Sequence, residues 1–193
     1  MARVPSEVRR QQFVDAAVKV IARDGVDGAT TRRIAEEAEA PLATLHYCFQ
    51  TKENLLWAVF ERLAEAVRAD IMQARVSGRS ASELARHMVD QTVDWAIENP
   101  DANRTQIEIW LWAERNDLEF AVKLYNMFID AWKDFLGTAQ PALPDDDLET
   151  VTRVIVAILD GLCMQLITHG DAEKVRREAR TADAMLSAYF GRV

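Results

Sequence analysis

Residues 30–56 read TTRRIAEEAEAPLATLHYCFQTKENLL, and this stretch predicts three helical segments separated by two short breaks. Thr30 and Thr31 can cap a first helix over residues 32–37, because threonine hydroxyls accept hydrogen bonds from the free N–H groups at a helix start. Pro41 interrupts the helical pattern, since proline lacks a backbone N–H and restricts the residue before it. The stretch therefore predicts short helices joined by tight turns.

A second short helix is predicted over residues 42–48, with Leu45 and Phe49 one turn apart on its inner face. Two helices joined by a turn of about three or four residues form a helix-turn-helix unit, whose second helix enters the DNA major groove. Thr51 opens a third helix, and Lys52 lies in its first turn. The free N–H groups and partial positive charge of a helix start are suited to a phosphate.

The side chains of this stretch favour DNA binding over a plain helical bundle, although helix spacing alone leaves both interpretations open. Several groups can contact bases or phosphates, and an apolar one can meet a thymine methyl. The predicted DNA-binding residues are Thr31, Arg32, Arg33, Leu42, Thr44, His46, Tyr47 and Lys52.

The stretch resembles the DNA-binding domain of the tetracycline-repressor (TetR) family of bacterial transcription regulators. The family pattern is matched in register by Thr30, Ile34, Ala35, Ala38, Thr44, Leu45, Phe49, Lys52 and Leu55. A preceding helix over residues 6–23, with Gly25 as its predicted stop, fits the same pattern. The resemblance covers about the first 60 residues, and only helix pattern and length agree beyond them.

The sequence departs from the family pattern in the turn and in the second helix. Glu39 stands where the family usually has glycine, so it is expected to adopt a left-handed backbone conformation that glycine takes without strain. Ala40 and Pro41 replace a common Val-Ser, and His46 and Cys48 are also unusual at their positions. These departures leave the predicted fold intact and the operator sequence unpredictable.

The charge is distributed unevenly along the 193 residues, whose formal net charge is −8. Residues 1–56 contain eight Lys and Arg against eight Asp and Glu, whereas the remainder contains fifteen against twenty-three. The predicted DNA-binding lobe is thus neutral, and the acidity belongs to the rest of the chain. A neutral lobe implies modest non-specific DNA binding and greater reliance on a few well-placed contacts.

The composition, with 49% hydrophobic and 28% charged residues, suits a folded protein with a substantial core. The N-terminus is polar and basic, and there is no run of about 18 apolar residues, so we expect a cytoplasmic protein without a membrane partner. Cys48 and Cys163 lie far apart in sequence. Reduced structural thiols are the expected state, with a redox switch as the minor alternative.

Helical periodicity continues to the end of the chain and predicts an all-α protein of about nine helices. The remaining predicted helices are 52–76, 82–98, 101–115, 118–136, 148–168 and 172–190. The predicted domains are a helix-turn-helix DNA-binding domain (1–51), a connecting helix (52–76) and a ligand-binding and dimerisation domain (77–193).

The last two helices are predicted to form a dimer interface. The helix over 148–168 is apolar around more than one face, so it must be buried on two sides, and the family resemblance implies a four-helix bundle between subunits. A two-fold dimer would also read both halves of a palindromic site. The alternative is that both faces belong to one monomer core. The predicted interface residues are Val154, Ile158, Gly161, Leu162, Leu186 and Tyr189.

The middle helices are aromatic and rich in methionine, which is typical of adaptable ligand cavities. The predicted effector is a small apolar or aromatic molecule. Its candidate contacts are His87, Gln91, Trp95, Glu108, Trp112, Met127, Phe128 and Trp132. The alternative is that these aromatic and methionine residues are simply core.

Enzymatic and purely structural functions have little support in the sequence. His46 and Cys48 are two residues apart and do not share a helix face, and His87 with Glu108 is the other weak pairing. No nucleophile motif, phosphate loop or metal-ligand spacing is present, so no catalytic residue, metal or cofactor is predicted. The expected function is a homodimeric, ligand-responsive regulator of operator DNA. The effector, the operator, the regulated genes, the number of dimers per operator and the choice between repression and activation stay open.

Overall fold

The computed structural model describes residues 5–72 and 78–191, which form nine α-helices and contain no strand. The helices are α1 (Ser6–Gly28), α2 (Thr31–Glu37), α3 (Leu42–Phe49), α4 (Lys52–Met72), α5 (Ala81–Glu98), α6 (Pro100–Asn116), α7 (Leu118–Leu136), α8 (Asp145–His169) and α9 (Ala172–Phe190). The predicted all-α class and helix order are confirmed. The predicted extension of the connecting helix to residue 76 falls partly on residues 73–77, which lie outside the described residues.

Glycine breaks the first helix where the sequence predicts its stop. Gly25 has φ 71° and ψ 171°, and the chain resumes a short helical segment from there to Gly28. An L side chain rarely adopts a positive φ, so glycine suits this kink. Helix α2 then begins after Thr30, whose hydroxyl accepts a hydrogen bond from the Arg33 N–H at 3.3 Å, as the capping pattern predicts.

The helices divide into two compact units by their internal contacts, while the domain ranges given by the sequence stay predictions. The first comprises Met1–Glu65 and Asp101–Leu124, and the second comprises Ala66–Pro100 and Tyr125–Val193. Helices α4 and α7 are therefore each divided between the units, and α6 belongs with the N-terminal helices. This division arises because packing depends on contacts between distant segments, whereas the predicted ranges followed chain order.

The core of the first unit is centred on aromatic contacts between α1 and α3. The rings of Phe13 and Phe49 meet edge to face, with centroids 6.3 Å apart, and both are almost fully buried. The Arg10 guanidinium lies 4.6 Å from the Phe49 ring centroid and donates a hydrogen bond to the Cys48 carbonyl at 3.3 Å. Helix α3 is thus held against α1 by its inner face.

In the second unit, α5 packs against α8 and α9. The Arg176 guanidinium donates a hydrogen bond to Asp94 at 3.0 Å, and the hydroxyls of Ser82 and Ser187 lie 3.1 Å apart, so polar contacts join α5 and α9.

Among the described helices, α8 is the one long and apolar enough to cross a membrane by length and composition. It has a mean hydropathy of 1.7 over its most apolar stretch, of which 39% is buried. Polar residues such as Asp160 and Gln165 interrupt this stretch, so it is not an unbroken apolar run.

The turn between α2 and α3 contains the strained residue that the sequence predicts. Glu39 has φ 48°, which confirms the expected left-handed conformation. We expect Glu39→Gly to raise the free energy of unfolding by about 1 kcal/mol, because glycine adopts this conformation without steric cost. Urea titration followed by circular dichroism measures the change. Ala40→Gly is the matched control and should lower stability, since Ala40 has no positive φ to relieve. A loss of stability in Glu39→Gly would contradict the strain.

Candidate nucleic-acid interface

The recognition helix α3 has one buried and one exposed face. Leu45 and Phe49 are buried, while His46 and Tyr47 are exposed, with 80% of Tyr47 accessible to solvent. Leu42 is exposed at the start of the helix. Because the inner residues anchor the helix, the outward residues are held in a fixed orientation, as a helix that enters a DNA groove requires.

Helix α2 contributes two arginines that are paired with carboxylates. The Arg32 side chain is 81% exposed, and its Nε donates to Glu36 at 3.1 Å. The Arg33 Nη1 donates to the Gly28 carbonyl at 3.2 Å and lies 3.5 Å from Asp24. Both guanidinium groups are exposed enough to exchange these partners for a phosphate. Thr31 and Thr44 are half-buried beside them on α2 and on α3.

A charged surface depression of about 500 Å³ lies beside these arginines. Its lining residues are Arg23, Asp24, Arg33, Glu36 and Glu37. Arg23 contacts Asp24 at 3.1 Å and Glu37 at 3.7 Å. The hydrogen bond from Arg23 holds the pKa of Asp24 below its ordinary value, so this carboxylate is charged at neutral pH. The depression is a network of opposite charges, which reduces the positive potential near α2.

Lys52 is engaged inside the first unit rather than exposed at the start of α4. Its Nζ donates a hydrogen bond to the Val26 carbonyl at 2.7 Å and lies 5.7 Å from the centroid of the Trp112 ring. The predicted phosphate contact would require the ammonium to leave these partners. The sequence pattern identified the position correctly as a helix start but could not indicate the carbonyl 26 residues earlier.

The predicted ligand contacts are divided between the two units. Glu108 and Trp112 belong to the first, while the second contains His87, Gln91, Trp95, Met127, Phe128 and Trp132. The structure thus does not place all eight together in one compact unit. Trp112 has a different partner, since its Nε1 donates to Asp27 at 3.0 Å.

Within the second unit, Phe135 joins several of the aromatic candidates. Its ring centroid lies 6.0 Å from that of His87 and 6.5 Å from that of Trp132. Trp95 and Trp132 are buried, which agrees with the alternative that they are core. These contacts bring α5 and α7 together through an aromatic cluster, here defined as His87, Trp132 and Phe135.

A polar pair between α7 and α8 was missed in the sequence. The Tyr125 hydroxyl donates to Asp160 at 2.6 Å, and burial followed by this hydrogen bond raises the pKa of Tyr125. Burial also raises the pKa of Asp160. Burial raises the pKa of the Cys163 thiol to about 12, which keeps that thiol protonated. The available signal was a single carboxylate within the mainly apolar part of α8, residues 154–168.

The predicted dimer residues differ in their exposure. Val154 and Tyr189 are exposed, Gly161 has open space where a side chain would project, and Ile158 is half-buried. Leu162 and Leu186 are only 6% exposed each, so they pack inside the protomer rather than on its surface. Their burial disfavours an interface role, which stays a prediction, because helical periodicity does not distinguish an inner face from an outer one.

Two exposed methionines extend the apolar surface of the last helices. Met164 on α8 and Met185 on α9 are exposed, the latter by 68%. Sequence reasoning missed both, although each lies on the same helix as residues that were predicted. We call the exposed set Val154, Met164, Met185 and Tyr189 the α8–α9 surface.

Two family models match separate parts of the chain. The model described as "Bacterial regulatory proteins, tetR family" matches residues 13–59, and "Tetracyclin repressor-like, C-terminal domain" matches residues 79–191. The first match contains the whole of α2 and α3. The second contains all of α5 to α9, so the two models together cover most of the chain.

Curated relatives and solved structures agree with these models. The HTH-type nicotine-responsive transcriptional repressor HdnoR of Paenarthrobacter nicotinovorans is 31% identical over 99% of this chain and 98% of its own length. The HTH-type transcriptional regulator BetI of Rhizobium meliloti (strain 1021) is 28% identical over 80% of this chain and 76% of its own.

Among solved structures, a TetR-like transcriptional regulator from Rhodococcus sp. RHA1 has a TM-score of 0.73 at 18% identity, covering 98% of this chain and 99% of its own. The multidrug binding protein EbrR complexed with ethidium has a TM-score of 0.70 at 24% identity, covering 92% and 97%. These two likenesses establish the fold. With the helix-turn-helix geometry and both family models, they show that this chain belongs to the TetR family of bacterial DNA-binding transcription regulators, which are not enzymes.

Proposed function

We propose that this regulator is a homodimeric repressor that binds a palindromic operator and is released by a small aromatic effector. The observation that carries the proposal is the recognition helix α3, whose inner face is anchored while His46 and Tyr47 face outward. A relative that is similar over almost the whole chain is named a repressor, which favours repression over activation.

The exposed side chains of α2 and α3 supply the proposed DNA contacts. Arg32 and Arg33 contact phosphates after exchange of their carboxylate partners, because charge-assisted bonds to phosphate are strong. Leu42, His46 and Tyr47 approach base edges in the major groove. A protein that acts on chromosomal DNA works in the cytoplasm, so we place it there without a membrane partner.

The α8–α9 surface supplies the proposed dimer interface. Its four members are large apolar residues exposed on two adjacent helices, and only 39% of the most apolar stretch of α8 is buried within the protomer. Burial of this surface against a second copy would remove apolar area from water. A two-fold dimer would present two recognition helices to successive major grooves.

The aromatic cluster around Phe135 supplies the proposed effector contacts in the second unit. The name of HdnoR includes nicotine, and EbrR is described with ethidium and with imidazole. All three compounds are nitrogen heterocycles, so we propose a nitrogen heterocycle as the effector of this chain. Met127 and Phe128 are half-buried on α7 and provide adaptable apolar contacts beside His87 and Gln91 on α5.

Release follows from linkage between the two sites. An effector that binds one conformer better shifts the protein towards it, and the resulting change in DNA affinity can be no larger than the ligand's differential affinity for the two conformers. Helix α4 contributes residues to both units and is separated from α3 by only two residues, so it is the proposed route of coupling.

Replacement of Tyr47 tests direct readout of the operator. We expect Tyr47→Ala to weaken operator binding by about 10- to 100-fold, the range for loss of a base contact, while random DNA is bound almost as before. Fluorescence anisotropy with both DNAs measures the two affinities. Val122→Ala, at another exposed apolar position of the first unit, is the control and should leave both unchanged. Equal losses on the two DNAs would contradict base readout.

A charge on the α8–α9 surface tests the dimer. We expect Val154→Asp to halve the mass in sedimentation and abolish operator binding, because an unpaired carboxylate in an apolar interface costs several kcal/mol, roughly. Val122→Asp is matched in chemistry and in exposure, since Val122 and Val154 are both 50% exposed, and should remain dimeric. Circular dichroism confirms that each variant is folded. A Val154→Asp protein that stays dimeric would place the interface elsewhere.

Titration with nicotine and related nitrogen heterocycles tests the effector. The chain has five tryptophans, so we expect saturable quenching of intrinsic fluorescence and a higher melting temperature, because a ligand of the folded state stabilises it. The same compound should release the operator over the same concentration range. Phe128→Ala should lower the affinity for the ligand and leave DNA binding unchanged when no ligand is present. Naphthalene, which lacks nitrogen, is the control ligand. Heterocycles that quench without shifting DNA affinity would refute the effector class.

A further inference from the structure

Groups from two other helices lie near the ammonium of Lys52, which is the first residue of α4. The Lys52 Nζ donates to the Val26 carbonyl at 2.7 Å and lies 5.7 Å from the Trp112 ring centroid. Trp112 is held in turn by Asp27, whose Oδ1 accepts a hydrogen bond from the indole N–H at 3.0 Å. The end of α1, the start of α4 and α6 are therefore joined by these four residues, here called the Lys52 cluster.

The neighbouring residues of α6 make further contacts with α1. The Thr105 hydroxyl, fully buried, donates to the Val18 carbonyl at 3.0 Å. A carboxylate oxygen of Glu108 lies 3.5 Å from the position where a side chain on Gly25 would begin. Thr105, Glu108 and Trp112 are spaced by three and four residues, so they lie on one face of α6. This face contacts α1 over its last three turns, and Asp27, the partner of Trp112, is the α1 contact nearest to α3 in sequence.

The Val26 carbonyl accepts a long hydrogen bond from the Ala29 N–H at 3.3 Å, and its second lone pair is available to the lysine because α1 ends there. The Thr30 N–H, which would reach Val26 in a continuing helix, donates to Gly28 instead. A carbonyl at a helix C-terminus carries partial negative charge and favours a cation. The Lys52 ammonium thus provides a donor for a carbonyl at the C-terminus of α1. A phosphate that bound Lys52 would have to replace this short, charge-assisted hydrogen bond.

The position of Lys52 also determines where the recognition helix ends. Only Gln50 and Thr51 separate it from Phe49, the last residue of α3. Gln50 has φ 61°, and the Phe49 carbonyl accepts a hydrogen bond from the Asn54 side chain at 3.0 Å. With so short and so constrained a connection, a shift of Lys52 shifts the C-terminal end of α3.

We propose that Lys52 and Trp112 are positioning residues for DNA recognition: the Lys52 cluster holds α3 in the orientation that fits the major groove. Lys52 then acts inside the protein and does not contact phosphate, and Trp112 does not contact the effector. The inference rests on DNA binding, which the family establishes, and does not depend on the proposed effector or dimer interface.

Trp112→Phe tests the cluster without changing the charge of the protein. It removes the indole N–H and keeps an aromatic ring, so we expect operator affinity to fall about tenfold, the equivalent of one hydrogen bond to a charged group. Binding to random DNA and the dependence of log affinity on log salt should be unchanged, because no phosphate contact is lost. All measurements are made below the melting transition of each variant, which circular dichroism defines.

Variants of Asp27 separate positioning from a general loss of stability. Asp27→Asn keeps a carbonyl acceptor for the indole and should retain operator affinity. Asp27→Ala removes the acceptor and should lose as much operator affinity as Trp112→Phe. The double variant Trp112→Phe/Asp27→Ala should bind the operator as tightly as the single variant with the lower affinity, since both substitutions remove the same hydrogen bond. Additive losses, or an Asp27→Asn protein as weak as Asp27→Ala, would overturn the cluster's role.

Lys52→Met distinguishes positioning from phosphate contact. We expect a loss of operator preference over random DNA, with a salt slope equal to that of Lys174→Met, which removes the same charge from the second unit. If Lys52 contacts phosphate, its slope falls by about 0.9 relative to that control, and operator and random DNA lose affinity equally. That result, or a Trp112→Phe protein that binds operator normally but binds nicotine weakly, would overturn the proposal and leave DNA binding itself intact.

Discussion

The recognition helix depends on the burial of Phe49. Helix α3 has only eight residues, and a helix of that length is not stable in water by itself. The Phe49 ring meets Phe13 edge to face at 6.3 Å and lies under the Arg10 guanidinium at 4.6 Å, so α1 holds the helix in place. Because Leu45 and Phe49 face inward, His46 and Tyr47 must face outward. The outward residues, which are the proposed DNA contacts, are therefore oriented by the buried residues of the same helix.

The charges of the DNA-binding helices are balanced at short range. Arg32 is paired with Glu36, and Arg23 and Arg33 both lie beside Asp24. Exposed ion pairs contribute little to stability, so a phosphate can replace the carboxylate at modest cost. The neighbouring carboxylates remain, however, and reduce the attraction to any DNA surface. This arrangement agrees with the zero net charge of residues 1–56 and makes well-placed contacts more important than overall attraction.

Local sequence patterns predicted the helices well but did not predict which distant residues contact one another. The expected local structure is found at three positions: a helix cap at Thr30, a helix stop at Gly25 and a left-handed turn at Glu39. Each of these features depends only on neighbouring residues. The sequence did not predict that Trp112 contacts Asp27, 85 residues away, or that it belongs to the first unit. Leu162 proved to be core, since the same periodicity describes a helix packed on either side. The effector contacts stay predictions.

The sequence by itself determined the all-α class, the order of the helices and the helix-turn-helix unit, because hydrophobic period, caps and breakers act within a few residues. It also determined which residues of α3 face outward, since Leu45 and Phe49 specify the inner face. Only the tertiary structure decided that α6 belongs with the N-terminal helices and that the Lys52 ammonium meets a carbonyl. Those outcomes depend on which distant segments pack together, and such contacts leave no periodic signal in the chain.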